Sequence, residues 1–148
     1  MSSIIKFKII TPERVVYQDD IIEVTIPTKT GEITVFPNHT PLVTLAKTGE
    51  IKLRKENSKE IISLTIDSGV VEIRESSPAN NRTTEVIILA SRSELASEID
   101  LKRAEEAYER ARKLTEEKQH VSDVDFAKFE ALIDKESNRI KIYNKLHR

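Results

Sequence analysis

The sequence predicts an α+β chain, an N-terminal antiparallel β-sandwich in residues 1–90 followed by a C-terminal antiparallel two-helix hairpin in residues 91–148. Three observations predict it. All three glycines (Gly31, Gly49, Gly69) and all five prolines (Pro12, Pro27, Pro37, Pro41, Pro78) fall before residue 80, and these are the residues that punctuate turns. In that first part apolar side chains recur every second residue. In the second part they recur at threes and fours, over long stretches with no Gly or Pro.

The strands follow in order. Ile5, Phe7 and Ile9 alternate with Lys6 and Lys8, and the same period returns at Ile33 and Val35 and at Ile51 and Leu53. It continues at Ile62, Leu64 and Ile66, at Val71 and Ile73, and at Val86 and Ile88. Each run has the pattern of a half-buried strand. The turn clusters TPE, PTKTGE, RKENSKE and SSPANNRTT separate them, and the Ser/Asn/Pro content of residues 75–85 reads as an exposed, flexible insertion.

The helices follow the strands. Leu101, Ala104, Tyr108 and Ala111 form one stripe that Leu114 extends, and Ala104, Ala107 and Ala111 leave little bulk against a neighbouring helix. Ser122 with Asp125 is an N-terminal capping pattern. Behind it runs a second stripe, Phe126, Phe129, Ile133, Ile140 and Tyr143. A polar link at residues 117–122 joins the two helices into a hairpin. Two helices bury little surface, so the pair is expected to move or to lean on a partner.

Composition narrows the function. The chain has 148 residues, 38% of them hydrophobic and 33% charged, with 24 basic residues against 25 acidic ones. That balance argues against nucleic acid as a partner, because phosphate backbones require net or clustered positive charge. No cysteine is present, which removes disulfides and thiolate chemistry. No apolar run approaches the roughly 20 residues that span a bilayer, so direct membrane insertion is not expected. A cytoplasmic chain is the default for such an N-terminus. His39, His120 and His147 are too scattered for a catalytic arrangement, and no nucleophile elbow, phosphate loop or zinc motif is present. No catalytic residue, metal site or required cofactor is expected.

Three features remain. In GEITVFPNHTPLV, residues 31–43, two prolines bracket His39, whose ring is expected to bond to the local backbone. In EIDLKRAEEAYERAR, residues 98–112, helical spacing points Asp100, Arg103 and Arg110 in about the same direction. That face is either a solvated ion pair or a place where an anion docks, and spacing alone leaves both open. The last ten residues, RIKIYNKLHR, carry Arg139, Lys141, Lys145 and Arg148 without an acid. They either meet the helix dipole or form a basic tip for an acidic protein surface.

These segments, taken in order, resemble the epsilon subunits of F-type ATP synthases. The resemblance rests on FKIITPERVVY at residues 7–17, GEITVFPNHTPLV at 31–43, GEI at 49–51, DSGVVEI at 67–73 and EIDLKRA at 98–104. In the third of the longer motifs Ser68-Gly69 stands where the family often has paired glycines. The resemblance implies a non-catalytic rotor part. Its sandwich would grip the gamma subunit and rest on the polar loops of the membrane c-ring, with Glu32 and His39 as interface candidates. Its hairpin would either fold down or extend toward the catalytic alpha/beta head. When extended it would obstruct ATP hydrolysis, with Arg139, Lys141, Lys145 and Arg148 meeting acidic segments of the beta subunits. The implied location is peripheral, on the cytoplasmic face of a bacterial membrane, with an organellar counterpart as the alternative.

Some bacterial relatives bind ATP in the hairpin, and the resemblance carries that pattern onto Ile99, Asp100, Arg103 and Ala104. Glu94 and Arg110 match the accompanying acid and base. In the second helix Arg139 matches, within Asn138-Arg139-Ile140, and Lys135 replaces a second Arg. A lysine offers phosphate one point charge in place of a planar fork, and Asp134 and Glu136 flank it. ATP is thus a candidate regulatory ligand. The alternatives to a regulating rotor part are an ATP-sensing module and a passive stalk element.

Overall fold

The computed structural model describes residues 4–76, 81–117 and 122–148, and the elements and contacts below are those of these residues. The chain forms two compact units, Met1–Leu95 and Ala96–Arg148. The division lies a few residues beyond Ala90, because the segment after Ala90 supplies one more strand to the first unit.

That unit holds ten strands. They are β1 (Ile5–Ile10), β2 (Val15–Ile21), β3 (Glu23–Thr28), β4 (Gly31–Val35), β5 (Leu42–Ala46), β6 (Gly49–Arg54), β7 (Ile61–Ile66), β8 (Gly69–Ser76), β9 (Thr83–Ala90) and β10 (Ser93–Leu95). Their order is β10-β7-β6-β3-β5-β8-β9-β1-β2, with β4 added on β3. The two ends of this order, β10 and β2, lie against each other, so the sheet folds over on itself around one interior. Every pair is antiparallel except β1 with β9, which run parallel with Phe7 opposite Val86. Most of the alternating residues read from the sequence fill the interior, with Ile33 and Ile62 partly buried against it. Ile5, Phe7, Ile9, Ile51, Leu53, Leu64, Ile66, Val71, Ile73, Val86 and Ile88 are all buried.

The strands without alternation have local reasons for lacking it. In β3, every residue from Val24 to Thr28 is buried, so no polar face interrupts the run. Pro27 sits where β3 changes neighbours, from β6 at Thr25 to β5 at Thr28. Its carbonyl accepts the Lys47 N–H at 3.1 Å on that side, so the missing proline N–H faces the changeover and interrupts no ladder. The β8–β9 ladder reaches Ser76 opposite Thr83, which leaves 77–82 as the connection where an insertion over 75–85 was expected. Residues 77–80 of it, Pro78 included, lie outside the described residues.

Ionic pairs decorate the sheet. Tyr17 donates to Asp19 at 3.1 Å, and Lys55 stands 2.5 Å from the same carboxylate. Burial, reinforced by the Asp19 hydrogen bond, pushes the Tyr17 phenol up to about 12. The Lys55 contact holds Asp19 below the usual carboxylate range.

The second unit opens with a 3₁₀ turn, Ala96–Glu98, followed by α1 (Leu101–Glu117) and α2 (Asp123–Leu146). Asp100 starts α1. Its carbonyl accepts the Ala104 N–H at 3.0 Å, and its carboxylate accepts the Arg103 N–H at 3.1 Å. Those are the two bonds of an N-cap, which satisfy donors the first helical turn leaves orphaned. Ser122 caps α2 by accepting the Asp125 N–H at 3.3 Å. The Asp125 carboxylate takes the Ser122 hydroxyl at 3.0 Å, so the reciprocal bond of a full capping box is replaced by a side-chain pair. The two helices pack on each other. Of the link between them, 118–121 lies outside the described residues, and His120 with it.

Two predictions follow from local geometry. A Cβ on Gly69 would lie 2.4 Å from the Leu89 carbonyl oxygen, which is backbone and cannot yield. Gly69→Ala therefore costs the first unit about 1–3 kcal/mol, read as a lower midpoint in denaturant, whereas Ser68→Ala leaves the midpoint near that of the parent. Asp100→Ala loses the cap and about 1 kcal/mol of helix stability. Asp100→Asn keeps it, because an amide oxygen accepts the same N–H. Amide exchange at residues 101–104 reads both, and an Asn variant as labile as the Ala variant would show that the charge matters and the cap does not.

Candidate functional site

The predicted nucleotide set divides by unit. Glu94 lies on β10, where its N–H donates to Thr65 Oγ1 at 3.1 Å. The other seven residues belong to the helical unit. At the start of α1, Asp100 does not pair with the Arg103 side chain but caps the helix. Ile99 and Ala104, both buried, occupy the positions of a hydrophobic staple, one residue before the cap and four after it. The Ile-Asp-x-x-Arg-Ala pattern is therefore first of all a helix start.

That arrangement leaves the guanidinium groups unused. Arg103 and Arg110 are exposed. Among the described residues neither side chain meets an acid. Of the acids nearby, Glu109 and Glu116 pair with Arg112, at 3.2 Å and 3.8 Å.

Two cations of α2 have an internal counterion. Glu136 is only 2% exposed. Its carboxylate lies 2.8 Å from Arg139 and 3.5 Å from Lys135. A carboxylate so far from water requires partners, because stripping its hydration costs several kcal/mol, and α2 supplies both from its own surface. The sequence reading placed Glu136 beside Lys135 as a flanking charge and missed it as a buried residue. The signal was present. The stripe Phe129, Ile133, Ile140, Tyr143 skips the turn between Ile133 and Ile140, and Glu136 fills that place. Phe126, expected on the stripe, is 45% exposed instead. Ile142, not expected, is buried with Ala96 and Ile99, and Tyr143 packs beside them.

The basic end of α2 is mostly turned to solvent. Lys141, Lys145 and Arg148 are exposed, and Arg139 is half-buried against Glu136. The helix closes on His147, whose N–H donates to the Tyr143 carbonyl at 3.2 Å. Its ring donates from Nδ1 to the same oxygen at 2.9 Å and stacks on Tyr143 at 4.0 Å.

In the first unit, His39 does what was expected of a turn residue, donating from Nδ1 to the Thr40 carbonyl at 2.6 Å. Asn38 takes φ 67°, and its N–H donates to Thr84 Oγ1 at 2.7 Å, which ties the loop to β9. Phe36 beside it is 52% exposed. Glu32 is exposed, 4.0 Å from Lys52. Among the described residues no group of His, Cys, Asp or Glu could hold a metal ion.

Comparison with known proteins matches both units. Residues 4–96 match the ATP synthase Delta/Epsilon chain beta-sandwich domain. Residues 97–144 match the long alpha-helix domain of the same chains. The ATP synthase epsilon chain of Halalkalibacterium halodurans is 33% identical over 135 residues, covering 90% of this chain and 92% of that one. The epsilon chain of Desulforamulus reducens is 33% identical, covering 92% and 94%. A chain of the Euglena gracilis mitochondrial ATP synthase assembly of OSCP, F1 and c-ring has a similar fold, with a TM-score of 0.73 at 19% identity, over 93% of this chain and 80% of that one. A closed β-sheet unit, a capped helix pair and near-complete matches to both parts of one family agree, and the chain belongs to the family of ATP synthase epsilon chains.

Proposed function

We propose that this chain is a rotor part of the central stalk of an F-type ATP synthase, and that its helical unit restrains ATP hydrolysis. The observation that carries the second half is the division into two units with separate interiors. Seventeen buried side chains form the interior of the first, and a small cluster around Ala96, Ile99 and Ile142 forms that of the second. The helix pair can change place without opening the sheet. Such an element is biased by whichever partner binds one of its positions better.

The partners follow from the chemistry. The sheet unit, with exposed Phe36 and Glu32 and half-buried His39 on β4 and the loop after it, would hold the gamma subunit and sit on the polar loops of the c-ring. Lys141, Lys145 and Arg148 would meet acidic segments of the beta subunits in the alpha/beta head. No helix among the described residues is long and apolar enough to cross a membrane, so attachment would run through these partners, peripheral to the membrane on its cytoplasmic face.

A second reading, an ATP-sensing hairpin, is favoured by one observation. Among the described residues Arg103 and Arg110 present exposed guanidinium groups in no ion pair, and such groups suit phosphate.

Removing residues 96–148 from the assembled enzyme is expected to raise its ATP hydrolysis, with gamma still captured one to one. The cut belongs after Leu95, because an earlier one removes β10. Unchanged hydrolysis in an enzyme that retains the shortened chain would make the helices passive. A purified chain that ignores gamma would end the rotor reading. For the nucleotide reading, Arg103→Ala should weaken ATP binding about tenfold, the worth of one charge-assisted contact, without shifting the melting of the sheet unit. Equal titration curves for the two proteins would rule Arg103 out as a ligand.

A further inference from the structure

We propose that Glu136 is an internal occupant of the cationic site on α2 and competes there with phosphate. The inference rests on the nucleotide reading and adds its regulation. Three observations support it. Glu136 is 2% exposed, at a stripe position where the helix otherwise carries apolar side chains. Arg139 and Lys135, the two α2 cations of the candidate set, both converge on its carboxylate at 2.8 and 3.5 Å. On α1, by contrast, Arg103 and Arg110 meet no acid among the described residues. The candidate set is thus half filled by the chain itself.

The consequences are electrostatic. A carboxylate on the same helix as its cations is present at a high effective concentration, which a free ligand must exceed. An arriving phosphate would also meet a like charge in a place sheltered from water, where repulsion is weakly screened. Lys135 and Arg139 lie one and three residues from Glu136, so all three groups stand on α2. Glu136 therefore sets the nucleotide level at which the hairpin responds, and it sets it high.

The test is calorimetric titration of the full chain with Mg-free ATP, and in parallel with inorganic tripolyphosphate. The proteins are the parent, Glu136→Gln, Glu136→Ala and the double variant Glu136→Gln/Arg139→Ala, with helix content followed by circular dichroism. Expected is a gain of about tenfold or more in affinity for both probes in the two single variants, abolished in the double variant. Equal binding by the parent and the single variants would overturn the inference and leave the nucleotide reading standing. No binding by any of the four proteins would overturn both. Loss of helix in both single variants would show that the carboxylate is a structural member of the helix pair, and would likewise overturn the inference.

Discussion

The structure depends on closing one aliphatic interior. With no cysteine and aromatics at 5%, the first unit has no cross-links and, in Phe7, one large ring in its interior. It relies on buried Ile, Leu and Val side chains, each contributing about 1.5–3 kcal/mol when fully sheltered. Shelter on that scale requires the sheet to meet itself. The contact of β10 with β2 and the parallel joint of β1 with β9 are what turn a row of strands into an enclosure. Charges then sit on the outside in cross-strand pairs such as Arg74 with Glu85 at 2.7 Å, where they add solubility more than stability.

The helical unit is made of different material. Its buried positions on α1 are Ala104 and Ala111, and on α2 Glu136 and Ile142. Two of these four are the smallest side chain that has a Cβ, and one is a charge. A helix pair built so gains little from apolar burial, and a buried ion pair often contributes less than an apolar side chain of the same size. Caps at Asp100 and Ser122 support each helix by local bonds.

How much of this was legible in the sequence varied with the physics of each segment. Strands with one face to water announced themselves by period, as β1, β6 and β7 did. β3 did not, because burial on both faces erases alternation, and β2 did not, because VVYQDDI follows no period of two. β10 is three residues long and exists only because β7 offers it an edge. The same holds at the candidate site. Asp100 and Arg103 were visible as a pair by spacing, yet spacing could not say that the carboxylate would turn back to the backbone. Glu136 was visible as a charge, but that it would be buried depended on a stripe position, which a reading by apolar residues skips.

The parallel pairing of β1 with β9 also bears on the order in which the chain acquires its shape. Ile5 meets Thr84 and Ile10 meets Leu89, so β1 gains this neighbour only after the rest of the strands between them have been made. Contacts so distant along the chain are slow to form, since the loop between them must be closed first. The helical unit is held by near neighbours in sequence, so its contacts can form quickly. The two units thus close by different routes, the first through distant contacts and the second through contacts between near neighbours in sequence.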